Sequence, residues 1–190
     1  MKYILGLVTA LLLLSGCSSS SDTSNDFAVT AMTSKHLTMA DFSHQLANQL
    51  FDSARGVQAG QRVAVTSPVW LASGMKESSL VGLQLQQELA AELHAMSLDV
   101  VEYKLTDGIR VTPLGDFALS TDYLELRELQ AADYILVGTL VERDNSLVVS
   151  LRMLEFSTQI VKATAQIAIP HWVTEDLMHI NTFQLVNPEL

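Results

Sequence analysis

Three strand-length apolar segments follow one another late in this chain, and they leave few ways to fold it. Residues 133–142 carry Tyr-Ile-Leu-Val-Gly-Thr-Leu-Val, rich in β-branched side chains and free of proline. This is an apolar strand of the buried kind. Asp144-Asn145 then makes a two-residue turn, a length that joins antiparallel strands directly. Residues 146–155 and 160–169 continue the pattern across a break at Ser157-Thr158, and Pro170 ends it because it has no N–H to give a ladder. The spacing predicts a three-stranded meander.

Upstream the period changes from two to about four. Met39, Phe42, Leu46 and Leu50 predict an amphipathic helix over residues 38–53, capped by Thr38. Arg55-Gly56 and Ala59-Gly60 break it, and Gln-Arg-Val-Ala-Val-Thr at residues 61–66 is a strand. Pro68 and Gly74 mark a loop. Ser78 or Ser79 caps a long helix to about Ser97, with Leu85, Leu89, Leu93 and Met96 on one stripe and Gln84, Gln87, Glu88 and Glu92 facing away. Residues 99–103 predict a second strand, with a short piece near 109–112, a third helix over 121–131 and a short helix over 174–179. The order is α-β-α-β-α-β-β-β, and the fold class is α+β (α/β-like): a mixed sheet with helices mainly on one face. Strand–helix–strand units run parallel and right-handed, and the last three strands antiparallel. The sequence shows no internal repeat.

The N-terminus is of a different kind. Met1-Lys2 precede an apolar run over residues 4–14, and Leu14-Ser15-Gly16-Cys17 follow. A positive start, a short apolar stretch and small residues before a cut are the layout of an export signal. The run has 11 residues, against the roughly 20 that a spanning helix needs. The Leu-Ser-Gly-Cys string resembles the lipobox of bacterial lipoproteins. That resemblance implies cleavage after residue 16 and lipidation of Cys17, whose thiol would carry a diacylglycerol. One acyl chain anchors only marginally; the lipoprotein family usually carries three. Residue 18 is Ser rather than Asp, which in Gram-negative lipoproteins implies sorting to the outer membrane. Cys17 is the only cysteine, so no intrachain disulfide forms. Four segments follow: residues 1–16 as signal peptide, 17–37 as lipidated cysteine and flexible Ser-rich tether, 38–170 as the folded domain, and 171–190 as a C-terminal tail.

Removing residues 1–16 leaves 174 of 190, enough for one domain with a proper core. Lys2 is the only charge lost, so the formal net charge goes from −10 to −11. Such a domain gains no counterion-release energy from nucleic acid, and no basic patch with interleaved aromatics is present.

Catalytic constellations are thin. Ser73-Gly-Met-Lys76 has the spacing that puts an amine one helical turn from a hydroxyl, but the Ser-Asp-Asn and Lys-Thr-Gly partners of that enzyme class are absent. It reads as a solvated loop before a helix. His36, His44, His94, His171 and His179 form no metal-ligand spacing. Glu88/Glu92 and Glu125/Glu128 stand at i,i+4 and i,i+3, and read as solvated helix faces rather than a general acid/base pair. There is no Gly-rich phosphate loop and no nucleophile elbow. No catalytic, metal or cofactor-binding residue is assigned, and a binding or structural module is expected rather than an enzyme.

Three stretches carry a family likeness. Arg62-Val-Ala-Val-Thr-Ser-Pro68 runs into Ser-Ser-Leu-x-Gly-Leu-x-Leu-x-x-Glu-Leu at residues 78–89. Val100-Val-Glu-Tyr-Lys104 precedes Ile109-Arg-Val-Thr-Pro-Leu-Gly-Asp116, and Ala132-Asp-Tyr-Ile-Leu-Val-Gly-Thr139 precedes the strand at 147–155. Together they resemble the FlgO family of flagellar outer-membrane lipoproteins, over residues 38–170. The last stretch also occurs in the curli-secretion lipoproteins, the lipoprotein activators of peptidoglycan synthases and the N-terminal domain of the TolB translocation protein. The Ile-Arg-Val-Thr-Pro-x-Gly-Asp segment favours FlgO. The resemblance implies a non-enzymatic role in flagellar assembly or stability and hence motility. It also implies the outer membrane and other flagellar or envelope proteins as partners, with self-association left open. The alternative is an envelope lipoprotein that regulates or builds a secretion channel or a cell-wall synthase complex. Only Cys17 carries over as a functional residue.

Replacing Cys17 by Ala is expected to abolish membrane retention, leaving an uncleaved precursor or a soluble product in cell fractionation. A mature, membrane-bound Cys17→Ala protein would contradict the lipobox reading.

Overall fold

The computed structural model describes residues 37–126 and 132–178. Cys17, the leader, the tether and the end of the chain lie outside the described residues. Among the described residues, eight strands and three α-helices follow in order: α1 Met39–Ser53, β1 Arg62–Val65, β2 Val69–Trp70, α2 Leu80–Ala95, β3 Asp99–Val101, β4 Leu105–Thr112, β5 Gly115–Leu119, β6 Tyr134–Arg143, β7 Ser146–Glu155, β8 Val161–Pro170 and α3 His171–Met178. The main sheet has the order β3-β1-β6-β7-β8, with β2 also on β6. β1 runs parallel to β3 and β6, while β6-β7-β8 is the antiparallel meander. The class is α+β, as the sequence indicates.

The meander register explains the core. Leu136 faces Met153, Leu140 faces Val149, and Ala163, Ala165 and Ile169 on β8 face Met153, Leu151 and Leu147. These side chains share one face and are all buried. The helices cover that face. α1 contributes Met39, Phe42, Leu46 and Leu50, and α2 contributes Val81, Leu85, Leu89 and Leu93. Spacings of three and four put each set on one side of its helix. The other face of β6 (Ile135, Val137, Thr139, Val141) is half-buried, so the strand read as buried alternates instead.

The start of α1 is closed through Asp41, whose carboxylate accepts from the Thr38 N–H and hydroxyl, both at 2.9 Å. Ser79 caps α2 by accepting from Gly82 N. The second half of α1 lies along the outer edge of β8. Ser53 Oγ donates to Thr164 O (2.7 Å) and accepts from Thr164 N (2.9 Å). Gln49 Oε1 accepts from Gln166 N, and Arg55 N donates to Lys162 O. Side chains and the end of a helix thus satisfy an edge that would otherwise offer open backbone.

Pro68 packs between α2 and β6. A Cβ on Gly82 would lie 2.5 Å from Pro68 O, and a Cβ on Gly138 2.9 Å from the Pro68 ring and 2.7 Å from Leu151. Both contacts are closer than side chains tolerate, so these glycines are needed for the approach.

Two segments differ from the sequence reading. The short piece near 109–112 is one arm of a hairpin, β4–β5, turning at Pro113-Leu114. No α-helix starts at Thr121: residues 123–125 form a 3₁₀ turn, Asp122 Oδ1 accepts from Leu124 N, and Leu126 is bridged to Thr106. Local Asp and Ser hydrogen bonds compete with helical ones here; residues 127–131 of that expected helix lie outside the described residues. The expected order α-β-α-β-α-β-β-β therefore gains β2 and the hairpin, and loses the start of its third helix. The final helix begins at His171, directly after Pro170, and packs on α2, β7 and β8.

Leu46 is completely buried. Leu46→Ala is expected to lower stability by about 2–5 kcal/mol, and Gln87→Ala, on the exposed side of α2, by less than about 0.5 kcal/mol. Denaturant titration of the full chain checks both.

Candidate interaction surface

The residues that carried a catalytic pattern are engaged in local structure. Ser73 Oγ donates to Trp70 O (2.9 Å) and accepts from Lys76 N and Glu77 N. It closes a turn, and the Lys76 side chain is exposed. Glu88 and Glu92 are not simply solvated: they tie α2 to α1. Glu88 accepts from Ser43 Oγ (2.7 Å) and Gln84 Nε2, and Glu92 is 2.7 Å from His44 Nδ1. His94 is exposed near the end of α2, and His171 starts α3. Glu125 pairs with Arg110 at 3.2 Å. Cys17, His36, Glu128 and His179 lie outside the described residues. Among the described residues no three His, Cys, Asp or Glu gather as a metal site. No helix of the described residues is long and apolar enough to cross a membrane.

The distinctive surface is the β4–β5 arm. Leu105 pairs with Leu119, Arg110 with Phe117, Val111 with Asp116 and Thr112 with Gly115, with an irregularity between Leu105 and Arg110. Opposed residues share a face, so Val111 lies on one side of the ribbon and Phe117 and Leu119 on the other. Ile109, Val111 and Leu114 are 72%, 75% and 90% exposed. The Arg110 guanidinium lies 5.9 Å from the Phe117 ring centre, close enough for a cation–π contact. With Thr106, Ile109, Leu119 and Glu125 these two line a shallow groove of about 290 Å³. A two-stranded ribbon alone is marginally stable in water. Here Leu126 bridges to Thr106, and Glu125 to Arg110.

The base of the arm is held by Gln86. Its Nε2 donates to Val65 O and to Tyr103 Oη, each at 2.6 Å, and its Oε1 accepts from Lys104 Nζ at 2.8 Å. One buried amide thus joins β1, α2 and the two residues from which β4 begins. Burial raises the Tyr103 hydroxyl above its ordinary range; the Gln86 hydrogen bond opposes this, and Glu102 adds to it. At the far end of the sheet the Thr158 hydroxyl lowers Glu155, with Lys162 acting in the same direction.

Gln86 does not stand out in the sequence, whereas residues 109–116 of the arm carry a short strand pattern and the family likeness, though not a hairpin pairing. Gln86 lies one helical turn after Gly82, and only its partners on other elements show that this row faces inward. The arm had a signal, the Pro113-Leu114-Gly115 turn between apolar residues.

The described residues thus form an α+β domain with one helix-covered sheet face and an exposed apolar ribbon. The chain belongs to the FlgO family: the model of that family, described as FlgO protein, matches residues 44–174, from α1 into α3. Among solved structures, it is similar to the LpoB C-terminal domain from Escherichia coli, at 16% identity and a TM-score of 0.46, over 70% of this chain and 98% of that one. The NMR structure of E. coli LpoB gives 15% identity and a TM-score of 0.45, over 87% of this chain and 82% of that one. The PelC dodecamer from Paraburkholderia phytofirmans gives 18% and 0.38, over 62% and 78%. No curated protein sequence matches the chain.

Gln86→Leu would leave Val65 O without its buried donor, at a cost of about 1–3 kcal/mol. It would also remove the bond that favours the Tyr103 phenolate, so Tyr103 should titrate still higher. Ultraviolet titration against Tyr103→Phe isolates that group, and an unchanged Tyr103 signal would show that Gln86 does not set its environment.

Proposed function

We propose that this chain is an outer-membrane lipoprotein, held by lipid on Cys17, that supports assembly or stability of the flagellum and thereby motility. Membership of the FlgO family carries the reading, because the match runs through nearly the whole described core. The lipobox string at residues 14–17 supports the anchor. The described surface fits a module that works by contact: His44, Glu88 and Glu92 are spent on pairing the two long helices, and Ile109, Val111 and Leu114 stand exposed on the arm. Its partners in this reading are other flagellar or envelope proteins, with self-association left open, and no cofactor or nucleic acid takes part.

A deletion strain is expected to swim poorly, with fewer or misassembled flagella by electron microscopy and ordinary growth. The wild-type gene should restore swimming, Cys17→Ala should not, and Ser73→Ala should restore it fully. Normal flagella and swimming in the deletion strain would point instead to service of a secretion channel or a cell-wall synthase complex.

A further inference from the structure

We infer that the tip of the β4–β5 arm inserts into the headgroup–acyl boundary of the bilayer that carries the chain. The inference rests on the lipid anchor of the proposed function and adds a second, protein-borne contact to it.

Direction comes first. Along α1, Gln49, Ser53 and Arg55 meet Gln166, Thr164 and Lys162 in descending order on β8. α1 is therefore antiparallel to β8. Two antiparallel steps through β7 make β8 parallel to β6, as β1 and β3 are. The start of α1 thus lies toward the end of the sheet where β6 finishes, and β3 runs in that direction, its last residue Val101 standing level with Ala64 and Ile135. β3 leads through Tyr103-Lys104 straight into the arm. The strand that feeds the arm is therefore directed toward the end of the domain from which the chain leads back to Cys17. Twenty residue-to-residue steps lead from Leu37 back to Cys17, a reach of at most about 70 Å when extended. Leu71 and Met75 after β2, and Trp172 at the start of α3, are exposed at this end as well.

The chemistry of the tip comes second. A surface that docks on a protein needs one apolar face, whereas this ribbon is apolar on both and at its turn. A polar backbone entering an apolar medium must be satisfied internally, and the Thr112 hydroxyl does this for two groups of the turn. Thr112 Oγ1 donates to Gly115 O (3.0 Å) and accepts from Leu114 N (3.1 Å), while Pro113 has no N–H. Arg110 and Asp116 limit the depth. Charged groups remain at headgroup level while apolar stems and neighbours enter, so Val111, Pro113 and Leu114 are the inserted part. The opposite end exposes Phe156 and Ile160 around the β7–β8 turn, but no segment there leads to an anchor.

Cys17 is the only cysteine, so in the acylated full chain Leu114→Cys supplies a single free thiol. It is labelled with a nitrobenzoxadiazole probe in vesicles of phosphatidylethanolamine and phosphatidylglycerol, at one copy per vesicle on average. Ser157→Cys, on the turn at the opposite end, is the comparator, and Val111→Cys is a second tip probe. Probes at 114 and 111 should emit further to the blue than the probe at 157. They should be quenched several-fold more by nitroxide lipid, and several-fold less by aqueous iodide. Iodide quenching equal at 114, 111 and 157 in protein that floats with the vesicles would overturn the inference and leave the anchor standing. Tip probes shielded from both quenchers would also overturn it, by showing a protein occupant. Protein that fails to float would overturn the anchor and this inference together.

Discussion

The domain depends on a single sealed face. Leu136, Leu140, Leu147, Leu151 and Met153 present one apolar surface, and Leu46, Leu50, Leu85, Leu89 and Leu93 from two helices close it. Because the helices lie on that side, their polar residues pair with one another: Ser43 with Glu88, and His44 with Glu92. Carboxylates that look like a solvated stripe on α2 thus hold α1 in place, and α1 in turn reaches the edge of β8. Core burial sets the layer, and the polar seam sets the orientation of the layer's parts.

Pro68 couples the two halves of the sheet. It fills the space left by Gly82 on α2 and Gly138 on β6, so the loop after β1 is pinned between a helix and the meander. β1 and β2 accordingly lie along β6 as one interrupted line, Val65 opposite Leu136 and Val69 opposite Thr139. The Ser78 hydroxyl adds a 2.6 Å bond to Pro68 O, which fixes where α2 can begin.

Much of this was legible in the sequence, for a physical reason. Where burial is one-sided and regular, period reports structure: the α1 leucines, the α2 stripe and the meander with its Asp144-Asn145 turn all emerge close to their observed bounds. The failures fall where local and distant interactions compete. At residues 121–126 a helix-like pattern yields to Asp122 and Ser120 bonding neighbouring N–H groups, and to the pairing of Leu126 with Thr106. β4–β5 buries little, so no burial pattern announces it, and Gln86 is recognised only through partners 17 to 21 residues away.

The hydroxyl of Ser53 has a consequence for growth. By serving both the N–H and the C=O of Thr164, it acts as a one-residue imitation of a ninth strand that cannot itself be extended. Strand-by-strand addition is blocked on that margin, while the three-residue β3 forms the other. The sheet is therefore directional, with one terminus plugged and one short, and packing of neighbours against this domain has to use side chains and the arm in place of shared backbone.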